Sequence, residues 1–130
     1  MVIDTSAIFA ILAGEPEQRA FNEAIAADPV RLISAASFLE AQIALATKYG
    51  DRALRLLDDF LHEARVTIAV VDEEQARAAG AAFRHFGKGR HPAGLNFGDC
   101  FGYALAKVTG EPLLYKGQDF SKTDIASAIA

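Results

Sequence analysis

Four acids carry the chemistry in this sequence: Asp4, Glu40, Asp99 and Asp119. Asp4 directly follows the apolar pair Val2-Ile3. That is the expected end of a buried strand, where an unpaired carboxylate is costly. The expected partner is a divalent cation. Hard cations such as Mg²⁺ take carboxylate oxygens and usually keep several waters. Several converging carboxylates repel one another unless such an ion is present. With one or two ions they become a site for phosphodiester hydrolysis. There the metal polarises the phosphate, lowers the pKa of the attacking water and steadies the leaving oxygen.

Each acid also has a plain structural use. Asp4 can cap the helix expected to begin near Ala7, although Thr5 and Ser6 offer capping groups of their own. Glu40 stands three residues after Ser37, the spacing of a capping box. If Ser34 starts that helix instead, Glu40 falls among Phe38, Leu39 and Ile43, where a carboxylate needs a cation or a donor. Asp99 falls in the first turn of a helix capped by Asn96, where an acid favours the helix dipole by ~0.3–1 kcal/mol. Asp119 lies in the turn-like run Gly117-Gln118-Asp119-Phe120. Their joint placement points to one site.

Basic residues cluster locally from Arg84 to His91, just before Asp99. That run reads either as an ordinary solvated loop or as a basic rim in which Lys88 and Arg90 guide a phosphate backbone, giving affinity without base readout. Lys116 is expected to do the same at closer range. His62, His85 and His91 show no metal-ligand spacing. One cysteine, Cys100, excludes an internal disulfide framework and a Cys-based zinc site.

The elements that must position these residues alternate between strand and helix. The expected strands are Val2-Ile3, Val30 to Ile33, Val66 to Val71 and Leu113 to Tyr115, with a short edge strand in the tail from Thr123. The expected helices run from Ala7, from Pro16, from Ser34 to Gly50, from Asp51 through Leu54, Leu57 and Leu61, from Asp72 through Phe83, and from Asn96 to Thr109. Residues Gly87 to Gly94 read as a loop. This alternation predicts an α/β fold: a central parallel sheet of four or five strands with helices on both faces. In such sheets sites form beyond the carboxyl ends of the strands, which is where Asp4 and Asp119 fall.

An apolar fraction of 52% marks a globular chain. One domain over 1-130 is expected, with no membrane span and no secretory leader, hence a cytoplasmic protein. The net charge of −4 argues against a coat of uniform basic surface on nucleic acid, not against an enzyme that meets it through a metal and one basic loop.

Three segments resemble motifs of PIN-domain ribonucleases: Val2-Ile3-Asp4-Thr5-Ser6-Ala7, Leu95-Asn96-Phe97-Gly98-Asp99-Cys100, and Leu113 to Phe120. The VapC branch, toxins of type II toxin–antitoxin pairs, is the most similar. The resemblance implies a PIN-like three-layer fold and Mg²⁺- or Mn²⁺-dependent endoribonuclease activity on RNA. It implies an acidic site of Asp4, Glu40, Asp99 and Asp119, with Thr5 or Ser6 supporting the metal shell. It also implies a homodimer and inhibition by a small cognate antitoxin. One departure is Gln118, where relatives often carry another acid or an Asn. That bears on how tightly a second metal is held. Two other classes compete. A receiver-like signalling domain would use Asp72 after the third strand but leaves Glu40 and Asp99 unexplained. A non-catalytic PIN scaffold would bind RNA without turnover.

Overall fold

The structure is a computed structural model and describes residues 1–129. Four strands form one parallel sheet in the order β3-β2-β1-β4: β1 Val2–Ile3, β2 Leu32–Ser34, β3 Thr67–Ala69 and β4 Leu113–Leu114. Among the described residues, six helices surround it: α1 Thr5–Leu12, α2 Gln18–Ala27, α3 Ala35–Tyr49, α4 Arg52–Glu63, α5 Glu73–Phe86 and α6 Phe97–Thr109. This is the α/β arrangement, a parallel sheet with helices on both faces, expected from the sequence.

Successive strand residues point to opposite faces, and here they feed two separate cores. Ile3, Ile33 and Leu114 face a core built with α1 to α4, whose apolar residues include Ile8, Leu45, Leu57 and Leu61. Val2 and Leu113 face the other core, built with Ala79, Phe86, Leu95, Tyr103 and Leu105 from α5, α6 and the segment between them. The sheet is therefore the middle of three layers. Val2, Ile3, Ile33, Leu113 and Leu114 are fully buried or nearly so, as a parallel sheet covered on both faces requires.

Several boundaries differ from the sequence expectation, each for a local reason. Asp28 and Pro29 turn the chain so that Asp28 Oδ1 accepts the Val30 N–H at 2.9 Å. Val30 is consequently exposed outside the sheet, and β2 starts at Leu32. The β-branched run Val66 to Val71 contributes only Thr67–Ala69, because β3 is an edge strand paired along three residues of β2. Val70 lies beyond that pairing and is 75% exposed. Helix α2 begins at Gln18, two residues after Pro16, once a Gln18 N–H to Glu15 carbonyl turn has formed at 2.9 Å. Among the described residues, the tail gives one parallel bridge, Leu113 to Ser127, beside β4. Among the described residues, no helix is long and apolar enough to cross a membrane.

The sheet order places a topological switch beside β1. The chain leaves β1 towards β2 on one side, and β4 lies on its other side. The Asp4 N–H donates to the Leu114 carbonyl at 2.9 Å. Asp4 therefore stands at the carboxyl ends of two adjacent strands, where α/β sheets open a crevice for ligands.

Candidate metal centre

Asp4 is both a helix cap and a buried acid. Its Oδ2 accepts the Ser6 backbone N–H at 3.0 Å and the Ser6 hydroxyl at 2.6 Å. Asp4 thus caps α1 itself. Thr5 does not: its hydroxyl donates instead to the Ser37 carbonyl at 3.1 Å, tying α1 to α3. Asp4 is only 3% exposed. Burial pushes its carboxyl up to about 6, partly offset by the two Ser6 bonds, with the charges of Asp99 and Glu40 raising it further. A cap alone has no use for that cost, since Ser or Asn would do the same work uncharged.

Asp99 is held by a full capping box. Its N–H donates to Asn96 Oδ1 at 2.9 Å, and its Oδ2 accepts the Asn96 N–H at 3.0 Å. Burial raises its pKa, the Asn96 backbone bond opposes that rise, and the charges of Asp119 and Glu40 add to it. Glu40 reaches the site from the second turn of α3, which Ser34 caps by accepting the Ala36 N–H at 3.3 Å. Ser37 is inside that helix, so Glu40 is not part of a capping box. Its carboxylate lies against Gly98: a Cβ there would overlap it. Gly102 plays the same part for Asp4, with a Cβ position only 3.2 Å from Oδ1.

Asp4, Glu40 and Asp99 line one open cleft of about 500 Å³, with Thr5, Ser6, Phe9, Glu15, Ala44 and Lys116. That volume accommodates an ion with its waters, each of which takes ~30 Å³ in the liquid. Asp119 is exposed and does not line the cleft. It precedes a short 3₁₀ turn, Phe120–Lys122, and acts on the site through its charge on Asp99. Lys88 and Arg90 lie in the α5–α6 connection and do not line the cleft. The Lys88 N–H donates to the Leu95 carbonyl at 2.9 Å, and the Arg90 guanidinium stands 5.9 Å from the Phe83 ring centre. Lys116 is at the cleft, with its ammonium bonded to Glu15 and 3.3 Å from Glu17.

The donor set suits a hard divalent cation. Its ligating side chains are carboxylates and hydroxyls, with no sulfur or imidazole in the lining. Among the described residues, no three Asp, Glu, His or Cys side chains form a ready-made ligand cage. The acids are instead coupled through space across the cleft, an arrangement compatible with an ion that keeps several of its own waters. Sequence reasoning passed over Glu15, Glu17, Gly98 and Gly102. The Gly14-Glu15-Pro16 run reads as a helix break, which hides that it returns to the site. The glycine at position 98 was a signal, since the first turn of a helix has no conformational need for it.

The PIN-domain family pattern matches residues 1–126. The chain belongs to the PIN-domain family. Within it, the chain is 54% identical over 127 residues to a Ribonuclease VapC of Mycolicibacterium smegmatis, covering 98% of each chain. It is 53% identical over 127 residues to Ribonuclease VapC30 of Mycobacterium tuberculosis, covering 98% of this chain and 97% of that one. These relatives place this PIN domain in the VapC branch. Its fold also matches the crystal structure of M. tuberculosis VapC20, with a TM-score of 0.78 at 19% identity over 96% of this chain and 95% of that one. A toxin–antitoxin complex from Klebsiella pneumoniae superposes with a TM-score of 0.69 at 16% identity, covering 99% and 94%. Asp72, the residue a receiver-like domain would phosphorylate, instead caps α5 by accepting the Gln75 N–H at 2.9 Å.

Proposed function

We propose that this PIN domain is a VapC-type endoribonuclease toxin that hydrolyses RNA phosphodiester bonds with Mg²⁺ or Mn²⁺. The observation that carries this reading is the buried Asp4 carboxyl, pushed up to about 6 and faced by two further acids. The names of the relatives, ribonucleases at about half identity across nearly the whole chain, support it independently.

Asp4 and Asp99 would be direct metal ligands, with Glu40 a further ligand or the group that orients the attacking water. Asp119, exposed outside the cleft, would act through water or charge. A divalent ion held there would supply electrophilic assistance to the phosphate and a more acidic water. The protein does the rest. Ser6 fixes Asp4 Oδ2 with two donors. Asn96 fixes Asp99. Gly98 leaves the space that Glu40 needs. Thr5 and Ser6 support the metal shell, and Lys88, Arg90 and Lys116 supply phosphate contacts.

The partners follow from the same reading. The toxin would be a homodimer restrained by a small cognate antitoxin that covers the cleft, and it would act in the cytoplasm, where its RNA is. Exposed apolar side chains beside the cleft, Leu39, Ile43 and Phe97, offer a surface for such chains. Purified protein incubated with RNA tests the activity. Cleavage is expected with Mg²⁺ or Mn²⁺ and none in EDTA. Binding without turnover in any divalent metal would favour the non-catalytic scaffold.

A further inference from the structure

Among the described residues lining the acid cleft, Lys116 is the basic one, and its ammonium is paired with Glu15 and Glu17 rather than with the three site acids. Its backbone is fixed beside Asp4: the Lys116 N–H donates to Ser6 Oγ at 3.0 Å, and Ser6 Oγ in turn donates to Asp4 Oδ2 at 2.6 Å. Its side chain instead reaches the turn between α1 and α2, where it bonds to Glu15 and stands 3.3 Å from Glu17. A cation thus lines the acidic cleft but is already committed to Glu15, which lines it too, and to Glu17 beside it.

The pairs that commit it are easily exchanged. The three side chains keep exposures of 39%, 28% and 31%. Ion pairs of that exposure are weak, because water screens them and ordering the long side chains opposes them. A phosphate entering the cleft presents a charge-assisted acceptor that competes with either glutamate for the same ammonium. The two glutamates outnumber the lysine, so the group as it stands repels an RNA backbone.

We propose that Glu15 and Glu17 hold Lys116 in reserve as a substrate-phosphate contact, and so set the affinity of the cleft for the RNA backbone. This rests on the ribonuclease reading above. Removing the two carboxylates frees the ammonium for RNA; removing the lysine cancels that gain.

The test is RNA binding by a four-protein cycle, with a fluorescent single-stranded RNA in Mg²⁺ at several salt concentrations. An Asp99→Asn background keeps the RNA intact. The proteins are the background itself, Glu15→Gln with Glu17→Gln, Lys116→Met, and all three changes together. The glutamate pair is expected to tighten binding about threefold or more at low salt. It should also steepen the log–log salt slope by about 0.7, the value for one added phosphate contact on a single strand. The gain should vanish when Lys116→Met is added. Glu15→Gln alone should act in the same direction if the double change folds poorly. Unchanged or weaker binding overturns the proposal, as does a gain that persists without the lysine, which would reflect general charge alone. RNA binding by none of the four proteins, nor by wild type, overturns the ribonuclease reading and this proposal with it.

Discussion

Replacing Asp4 with Asn should separate the site from the fold, because the same carboxylate is required by one and costly to the other. Burial raises its pKa from 3.8 to about 6. Each pKa unit is 1.36 kcal/mol, so holding Asp4 ionised in the metal-free protein costs about 3 kcal/mol at neutral pH. The sign follows from proton binding. The folded state holds the proton more tightly than the unfolded chain. Its advantage is therefore complete below about pH 4 and is lost as pH rises through about 6. Asn keeps the cap, since Asn and Asp serve equally there, and carries no charge. In EDTA, the Asp4→Asn protein should match wild type near pH 4. By pH 8 it should be more stable by up to about 3 kcal/mol, worth roughly 10 °C in Tm for a chain of this length. Added Mn²⁺ should reverse the order by stabilising only the protein that binds it. Urea unfolding across pH 4 to 8, with and without Mn²⁺, reads both effects, and RNA cleavage should be absent in the variant. If Asp4→Asn instead lowers stability at pH 8 in EDTA, the acid is a structural cap and the argument from its burial fails.

Other changes probe the supports of the site. Gly98→Ala should keep the fold, because the displaced Glu40 carboxylate is the end of a flexible side chain. It should cost activity about 100-fold, the scale of a misplacement near 1 Å. Combined with Glu40→Gln it should cost little more than either change alone. Asn96→Ala removes the side-chain cap of α6 and should lower stability by ~1 kcal/mol, about 4 °C in Tm. It should reduce cleavage only modestly, because the Asp99 N–H loses its acceptor but the backbone N–H of residue 96 still donates to Asp99 Oδ2. Leu57→Ala, in the core beneath α4 and far from the acids, should cost ~2–5 kcal/mol by urea unfolding and leave kcat of the remaining folded protein unchanged.

The parts of the molecule legible in the sequence were those fixed by local chemistry. Asn96 read as the cap of α6 with Asp99 in its first turn, which the structure completes as a capping box, and Ser34 rather than Ser37 opened α3, so Glu40 was placed in the right turn. The alternation of apolar strands with helical patterns was enough for the layers, because Val2, Ile3, Leu113 and Leu114 must be covered on both sides. What escaped were features that depend on sheet position and on distant partners. Val66 to Val71 has the strongest strand composition, yet β3 is an edge and its pairing ends at Ala69. Asp4 was expected to leave capping to Thr5 and Ser6, but Thr5 is used by the Ser37 carbonyl and Ser6 serves Asp4. Lys116 was placed after the fourth strand correctly. Its hold on Glu15 and Glu17 joins residues about a hundred positions apart, and no spacing rule reaches that far. Asp119 follows the last strand as expected, yet its side chain stays outside the cleft and touches the site only through its charge.

The most direct test of the account is RNA cleavage by purified wild type and Asp99→Asn, side by side, with Mg²⁺, with Mn²⁺ and in EDTA. The account predicts cleavage by wild type with either metal, none in EDTA, and none by Asp99→Asn although that protein remains folded by circular dichroism. Equal cleavage by the two proteins, or cleavage by wild type that persists in EDTA, would contradict it.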